Sequence, residues 1–535
     1  LAHALLAKPL SLRWLGARRA HPFTLRLTDW SIDMPLHATP MTPPPGRLLW
    51  RLIKLLVLGL LGLAVLMAWR TWRLAAEQTP VPAQAGVVVN ADAAAQHLSQ
   101  AVQLHTVSNP EDTNAAAFEA LHQHLQSSFP ALHARLSRQP FGRHALLYTW
   151  PGSDPKAQPL ALLAHQDVVP VALGTQASWA HPPFSGAVAD GHVWGRGAWD
   201  DKGSLMAILE AVELLVKSGF EPRQTVYLAF GADEELGGED GARLIALHLR
   251  QQGVKLRFAL DEGLLITHGM VPGVQRPVAL VGVAEKGYVT FKLTAQGQGG
   301  HTSMPPPRSP VGVLGEAVAR VEGHPMPARL NGLPQLMLEA VAPNMSLVPR
   351  VLMSNLWLTG PLVASQLEKS NSANAMLRST LVATVFNAGE RENVLPGMAT
   401  ALVNSRLLPG DTSEAVEAHV REVLQGLDVT VESLPQRVEA SAISQSSGGD
   451  FDLIARSLRE LQPDVVVAPG LLVGGTDSRH FDGLADQIYR FSPVHAASSD
   501  MPRFHGSNER MAVSNLVQMV QFYERLLRRA SELPR

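Results

Sequence analysis

The 535-residue sequence predicts an α/β fold: a mostly parallel sheet flanked by helices, interrupted by an inserted α+β domain and preceded by an N-terminal transmembrane helix. Three observations carry that prediction. From about residue 91, short apolar segments alternate with amphipathic helical ones, the pattern of βαβ units whose strands are buried on both faces. Between about 287 and 437 the pattern changes to alternating strands separated by helices. Ahead of both stand fifteen uncharged residues in a row, Leu55 to Trp69. The chain is 46% hydrophobic and 17% charged, which is globular, and its length exceeds one ordinary domain. With 45 Lys plus Arg against 47 Asp plus Glu it has no basic surplus, so nucleic acid is not an expected partner. The absence of Cys excludes thiolate metal sites, a cysteine nucleophile and disulfides.

In chain order, residues 1–47 read as an N-terminal extension, with Met41 as the biological start and residues 1–40 upstream of it. Residues 48–69 read as the anchor. Extending the uncharged run back to Leu48 gives 22 positions and includes only Arg51 and Lys54, whose stems can snorkel. A span needs ~20 apolar residues. Trp50, Trp69 and Trp72 lie at its edges, where interfacial aromatics belong. The small-residue site Ala83-Gln84-Ala85 is too distant for signal cleavage, so the anchor is expected to be retained. Arg47, Arg51 and Lys54 before the span outnumber Arg70 and Arg73 after it, which puts the bulk of the chain on the extracytoplasmic side, periplasmic or lumenal. Residues 70–90 read as a linker.

Residues 91–286 begin with the helical segments "DAAAQHLSQAVQLHTVS" and "NAAAFEALHQHLQSSFP" and the strand in "PLALLAHQDVVP". In "SLMAILEAVELLVKSG", Leu205, Ile208, Leu209, Val212, Leu215 and Val216 recur at helical spacing. Strand "TVYLAF", helix "GARLIALHLRQQG" and strand "LRFALDEG" follow. Residues 287–437 carry the strands "YVTFKLTAQGQGG", "LVATVFNAG" and "ATALVNSRLLPG" and the helix "TSEAVEAHVREVLQG". Residues 438–535 return to the first style with "SSGGDFDLIARSLREL", "DVVVAPGLL" and "AVSNLVQMVQFYERLLRRA".

Open α/β sheets bind ligands beyond the carboxyl ends of their strands. Here one strand ends in His165, with Asp167 two positions on. A second runs into Asp233, Glu234 and Glu235, and a third ends in Asp261 next to Glu262. Asp200 precedes a helix and His505 lies in "RFHGSNER". Each alone has an ordinary reading as a solvated turn or a strand-end histidine. Gathered on one rim they would be a cluster of like charges, costly without a cation. Imidazole with carboxylate and no thiolate suits zinc, with cobalt or manganese as alternatives.

The blocks "AHQDVVP", "GRGAWDDKG", "GADEELGGEDGA", "LDEG", "GQGGHTSMPP", "ENVLPGMATALVNSRLLPGDT", "GGTDSRHF" and "FHGSNER" resemble, in order, the dizinc metallopeptidase and aminoacylase superfamily. The nearest branch is that of carboxypeptidase S and the N-fatty-acyl-amino-acid hydrolase/synthases, and the resemblance spans about residues 92–525. It implies that His165 binds one metal while Asp167 orients its ring. Asp200, followed by a cis peptide to Asp201, would bridge two divalent ions. Glu235 and Asp261 would be terminal ligands, His505 would complete the second site, and Glu234 would be the general base. Residues 91–286 and 438–535 would form the catalytic domain and 287–437 a lid over it.

From the lid, His301 would face the oxyanion, in dimeric relatives from the other subunit. Asn393 and Arg406 would bind substrate, Arg406 through its free carboxylate. Gly475 and Thr476 would line the pocket. The Leu- and Met-rich stretch 325–378 is expected to pack as core; covering a lid face or lining an acyl pocket are its other readings. The resemblance thus implies a monomeric or homodimeric, two-metal hydrolase of the amide next to a free carboxylate, in dipeptides or N-acyl amino acids. An aminopeptidase of the same fold and a metal-free binding protein are the alternatives.

Overall fold

Helix α1 (Pro45–Ala76) opens the part of the chain that the computed structural model describes, residues 45–76 and 81–532. The expected upstream extension 1–40 and the start at Met41 lie outside the described residues, as do positions 77–80 of the linker. The helix runs past the expected span of 48–69. Its apolar stretch is Leu49–Leu74, 26 residues. At 1.5 Å per residue that is about 39 Å, against a hydrocarbon core of ~30 Å. It is long and apolar enough to be a membrane anchor or a signal sequence. The chain divides into two units, residues 1–62 and 63–535. In the first, every side chain from 49 to 62 is exposed.

The second unit is built on an eight-stranded sheet. In chain order its strands are β1 (Ser137–Phe141), β2 (Ala145–Trp150), β3 (Leu160–His165), β4 (Val226–Gly231), β5 (Leu256–His268) and β6 (Val278–Glu285). The four strands β7 (Gly287–Gln296), β8 (Thr380–Ala388), β9 (Met398–Leu407) and β10 (Thr430–Ser433) then form a separate sheet, before β11 (Val466–Leu472) and β12 (Ala485–Ala497) complete the first. The order across the main sheet is β1-β2-β4-β3-β5-β12-β6-β11. Its centre, β4-β3-β5-β12, is parallel.

Strand β3 shows why a continuous apolar run belongs there, because successive side chains point to opposite faces and both faces are covered. Leu160, Leu162 and Ala164 enter one core with Leu205 and Leu209 of α2 (Lys202–Lys217) and with Met519 and Phe522 of the C-terminal helix Val513–Glu532. Ala161 and Leu163 enter another with Ile245 and Leu249 of the helix Ala242–Gln251. Strand β5 departs from expectation: it does not stop at Asp261 but continues to His268. Gly263 permits this, with φ at +146° and a position where a Cβ would lie 2.9 Å from that of Arg490 on β12.

The small sheet, in order β8-β9-β7-β10, is antiparallel and has its own core. Phe291, Leu293 and Val403 on its inner face pack with Leu314 and Val416 from the helices Pro310–Gly323 and Ser413–Val423. Within the 325–378 stretch, the helix Leu333–Val341 covers the edge of the main sheet, where Val341 and Met345 pack with Val278 of β6 and Val466 of β11. The following helices, Leu347–Ser354 and Leu356–Leu367, leave several large apolar side chains exposed. The expectation of core packing for this stretch therefore holds only for its inner side.

At the far ends of β5 and β12, His268 Nε2 and His495 Nδ1 lie 2.6 Å apart. One ring must donate and the other accept, so protonating both sets two donors against each other. Burial, and the positive charge of His268, hold His495 down at about 4, against an ordinary value of 6.5. A depressed folded-state value means that this contribution to stability is present above 6.5 and is lost as pH falls toward 4. The melting temperature should drop across that interval, and His495→Gln should flatten the drop; parallel curves would exonerate His495.

Candidate metal centre

His165 ends β3 and is buried. Its Nε2 lies 3.0 Å from Asp200 Oδ1 and 3.4 Å from Glu262 Oε1. Its Nδ1 faces the main-chain oxygen of Asp167 at 3.0 Å and the Asp167 carboxylate at 3.3 Å. That carboxylate also accepts from the backbone N–H of Glu234 (3.2 Å) and of Glu235 (3.1 Å), so one residue orients the ring and pins the acidic turn beyond β4. The turn closes through Gly237 and Gly238, both at positive φ. A Cβ on Gly238 would sit 2.1 Å from Asp477 Oδ1, so another residue here would be strained at this φ and would displace the Asp477 carboxylate.

Asp200 stands one residue before the N-cap of α2, and its peptide bond to Asp201 is cis, as the resemblance implies. Its carboxylate lies between two imidazoles: Oδ1 faces His165, while Oδ2 is 2.7 Å from His505 Nε2. His505 Nε2 is in turn 3.3 Å from Glu235 Oε1. Buried Glu509 holds this geometry. Its Oε1 accepts from the N–H of Gly197 (2.9 Å), Trp199 (3.0 Å) and Asp200 (3.1 Å), and its other oxygen pairs with Arg196. Arg196 also donates to the main-chain oxygen of His505 at 3.0 Å, tying together the loops that carry Asp200 and His505.

Among the described residues, three groups of side chains bring ligand atoms within 4.8 Å of one another: His165, Asp200 and Glu262; His165, Glu234 and Glu235; and Asp200, Glu235 and His505. They interlock through His165, Asp200 and Glu235. Of the expected ligands, His165, Asp200, Glu235 and His505 are gathered and Glu234 is beside them. Asp261 is in none of the three groups. Its carboxylate instead accepts from the N–H of Ser478 (2.7 Å) and of Glu262 (2.9 Å). The cause is strand geometry. Because β5 continues, residues 261 and 262 point to opposite faces, and it is Glu262 that turns toward His165.

Charge in the nest is poorly balanced. Burial pushes Glu234 well above the carboxylate range, and Glu262, Asp477 and Glu235 add to it against the pull of His165. Burial and the neighbouring Asp200 push Glu262 up to about 8. Hydrogen bonds to Asp200 and Glu235 raise His505 to about 10. Burial opposes the charge of Asp200, but hydrogen bonds from His165 and His505 outweigh it and hold that carboxyl below its usual range. Buried Glu235 Oε1 faces His505 Nε2 at 3.3 Å, a long and poorly aligned contact. Crowded carboxylates, faced by two imidazoles and no thiolate, are a donor set that fits borderline divalent cations.

The remaining expected residues lie elsewhere. His301 is exposed, on a two-residue strand paired with Val394–Leu395, and its Nδ1 is 2.8 Å from Ser303 Oγ. Asn393 precedes that partner strand. Neither belongs to the three groups. Arg406, half-buried on β9, sits over the Tyr288 ring at 5.1 Å. Thr476 is buried and donates to Glu285 at 3.3 Å. Gly475 leaves room for Arg479, whose Nη2 would be 2.1 Å from a Cβ there and would have to move. That guanidinium lies 3.9 Å from Glu234 Oε1 and 3.7 Å from Glu285. Glu262, Arg479, Arg196 and Glu509 have no assigned role in the sequence reading, although each lies in or beside a quoted block.

A family model described as peptidase family M20/M25/M40 matches residues 161–529. A probable carboxypeptidase S-like 2 from Dictyostelium discoideum is 36% identical over 492 residues, covering 90% of this chain and 94% of its own. The N-fatty-acyl-amino acid synthase/hydrolase PM20D1 of Xenopus tropicalis is 40% identical over 443 residues, with 80% and 84% covered. Among solved structures, the M20 family metallo-carboxypeptidase Sso-CP2 of Sulfolobus solfataricus shares the fold with a TM-score of 0.60 at 17% identity, over 82% of this chain and 99% of that one.

Proposed function

The chain belongs to peptidase family M20/M25/M40, a family of metal-dependent amide hydrolases, and from that premise we propose that it cleaves the amide bond next to a free carboxylate, in dipeptides or N-acyl amino acids. The observation that carries the reading is the convergence of His165, Asp200, Glu235, Glu262 and His505 from distant parts of the chain. In this assignment His165, Asp200 and Glu262 would hold one divalent ion and Asp200, Glu235 and His505 a second, with zinc preferred and cobalt or manganese acceptable. When bound, such a pair polarises the scissile carbonyl and acidifies water.

The chain's own residues do the rest. Glu234, held by its backbone N–H on Asp167, takes the proton of the attacking water and hands it to the leaving nitrogen. Arg479 beside it favours the ionised form that this requires. Residues 287–437 act as the lid, from which His301 donates toward the developing oxyanion, with Asn393, Gly475 and Thr476 bordering the substrate. Arg406 pairs with the substrate carboxylate, which favours this reading over an aminopeptidase, whose substrate presents an amine. Helix α1 holds the protein, as monomer or homodimer, on a membrane with the site on the extracytoplasmic side.

Hydrolysis of a panel of N-acyl amino acids and dipeptides by the metal-loaded full chain tests the function; no turnover in either class would sink it. Arg406→Ala should raise KM for free carboxylates by roughly 10–150-fold, the worth of a charge-assisted hydrogen bond. Amidated counterparts should be nearly unaffected. Equal losses would leave Arg406 with a structural role.

A further inference from the structure

The helix pair Leu347–Ser354 and Leu356–Leu367 presents an outer surface that the chemistry above does not use. From Val351 to Leu367 there is no ionisable side chain. Leu347 and Val348 are 71% and 69% exposed, Trp357 50%, Leu358 43% and Leu362 55%. The inner side is packed: Ser354 and Asn355 are buried, and Leu356 and Val363 join Leu338 in a small core. A helix pair facing water places charged residues outward. This one places leucine, valine and tryptophan there, and contiguous apolar exposure of that kind marks a surface that is covered in use.

Its neighbour says by what. Asn355 Nδ2 donates to the main-chain oxygen of Met67 (3.3 Å) and to Thr71 Oγ1 (3.2 Å). Thr71 Oγ1 itself donates to Met67 O at 2.8 Å, so the contact is a closed polar knot between helices. Both partners lie in the last turns of the apolar stretch Leu49–Leu74 of α1. In that part of α1 the sheltered side chains are Leu63, Met67, Arg70, Thr71 and Leu74, one helical face, whereas Trp69 and Trp72 remain exposed. The apolar surface of the pair therefore stands beside the end of a helix whose length and composition suit a bilayer. Trp357, with Nε1 3.4 Å from Asn355 Oδ1, adds an amphipathic ring of the sort that sits at headgroup level.

The geometry points to a lipid bilayer as the occupant of this surface. The two helices lie in the interfacial layer without crossing it, a second membrane contact next to the anchor. The inference rests on the reading of α1 as that anchor, and the test separates the two.

The chain has no cysteine, so one introduced thiol gives one labelled position. Full-length V348C and L358C, each carrying an environment-sensitive fluorophore, are reconstituted into phosphatidylcholine vesicles, with L58C in α1 and L173C, at a 95% exposed site, as references. Doxyl-labelled phosphatidylcholine should quench V348C and L358C comparably to L58C and leave L173C bright, while aqueous iodide should do the reverse. If L58C is quenched but V348C and L358C behave like L173C, the anchor stands and the inference falls. If V348C and L358C resist iodide yet ignore the doxyl lipid, protein covers them, and the inference falls again. If L58C is not quenched, the anchor reading fails, and quenching of V348C and L358C still decides the interfacial contact.

Discussion

Glu234→Gln is expected to lower kcat by at least ~10²–10⁴-fold, the usual worth of a positioned general base. Both metal equivalents should remain bound. Gln keeps the shape and the backbone N–H that Asp167 holds, and removes only the ability to take a proton. Turnover and elemental analysis on the same preparation check the result together. The metal readout matters because Glu234 and Glu235 are neighbours, and both come within ligand range of His165. Loss of metal with the Glu234 carboxylate would mean that the two side chains have exchanged duties.

Glu262→Ala and Asp261→Asn are expected to part company. Removing Glu262 takes an oxygen from the group around His165, so one of the two metal equivalents should be lost, with affinity down by more than the ~10–100-fold typical of an outer partner. Activity should fall with it. Asp261→Asn should keep both equivalents. Its cost is structural: Asp261 serves the N–H of Ser478 and of Glu262, and weakening a buried acceptor costs about 1–3 kcal/mol, visible as a lower melting temperature. Metal loss on Asp261→Asn with retention on Glu262→Ala would restore Asp261 as the ligand.

The Asp261–Glu262 pair also marks the limit of what the sequence makes legible. Strand β3 is readable because an unbroken apolar run is what two covered faces require, and α2 because its apolar residues recur at helical spacing. His165, Asp200, Glu235 and His505 are readable as a set because their blocks occur together. Which of two adjacent acids faces the set depends on where a strand stops, and "LRFALDEG" does not say that β5 runs on to His268. The Arg196–Glu509 pair is invisible for another reason: its partners are 313 positions apart, and either looks like an ordinary surface charge until the loops meet. The 325–378 stretch is legible only for its inner side, since leucine and methionine serve alike in a core and on an apolar surface left exposed.

That distant pair has a further consequence. Glu509 secures the peptide amides leading into Asp200, and Arg196 secures the backbone of His505, so the two halves of the nest are fastened to each other by residues 313 positions apart in the chain. A chain still leaving the ribosome lacks that fastening until Glu509 has emerged. Any product cut short before Glu509 is expected to lack the closed nest and, with it, activity.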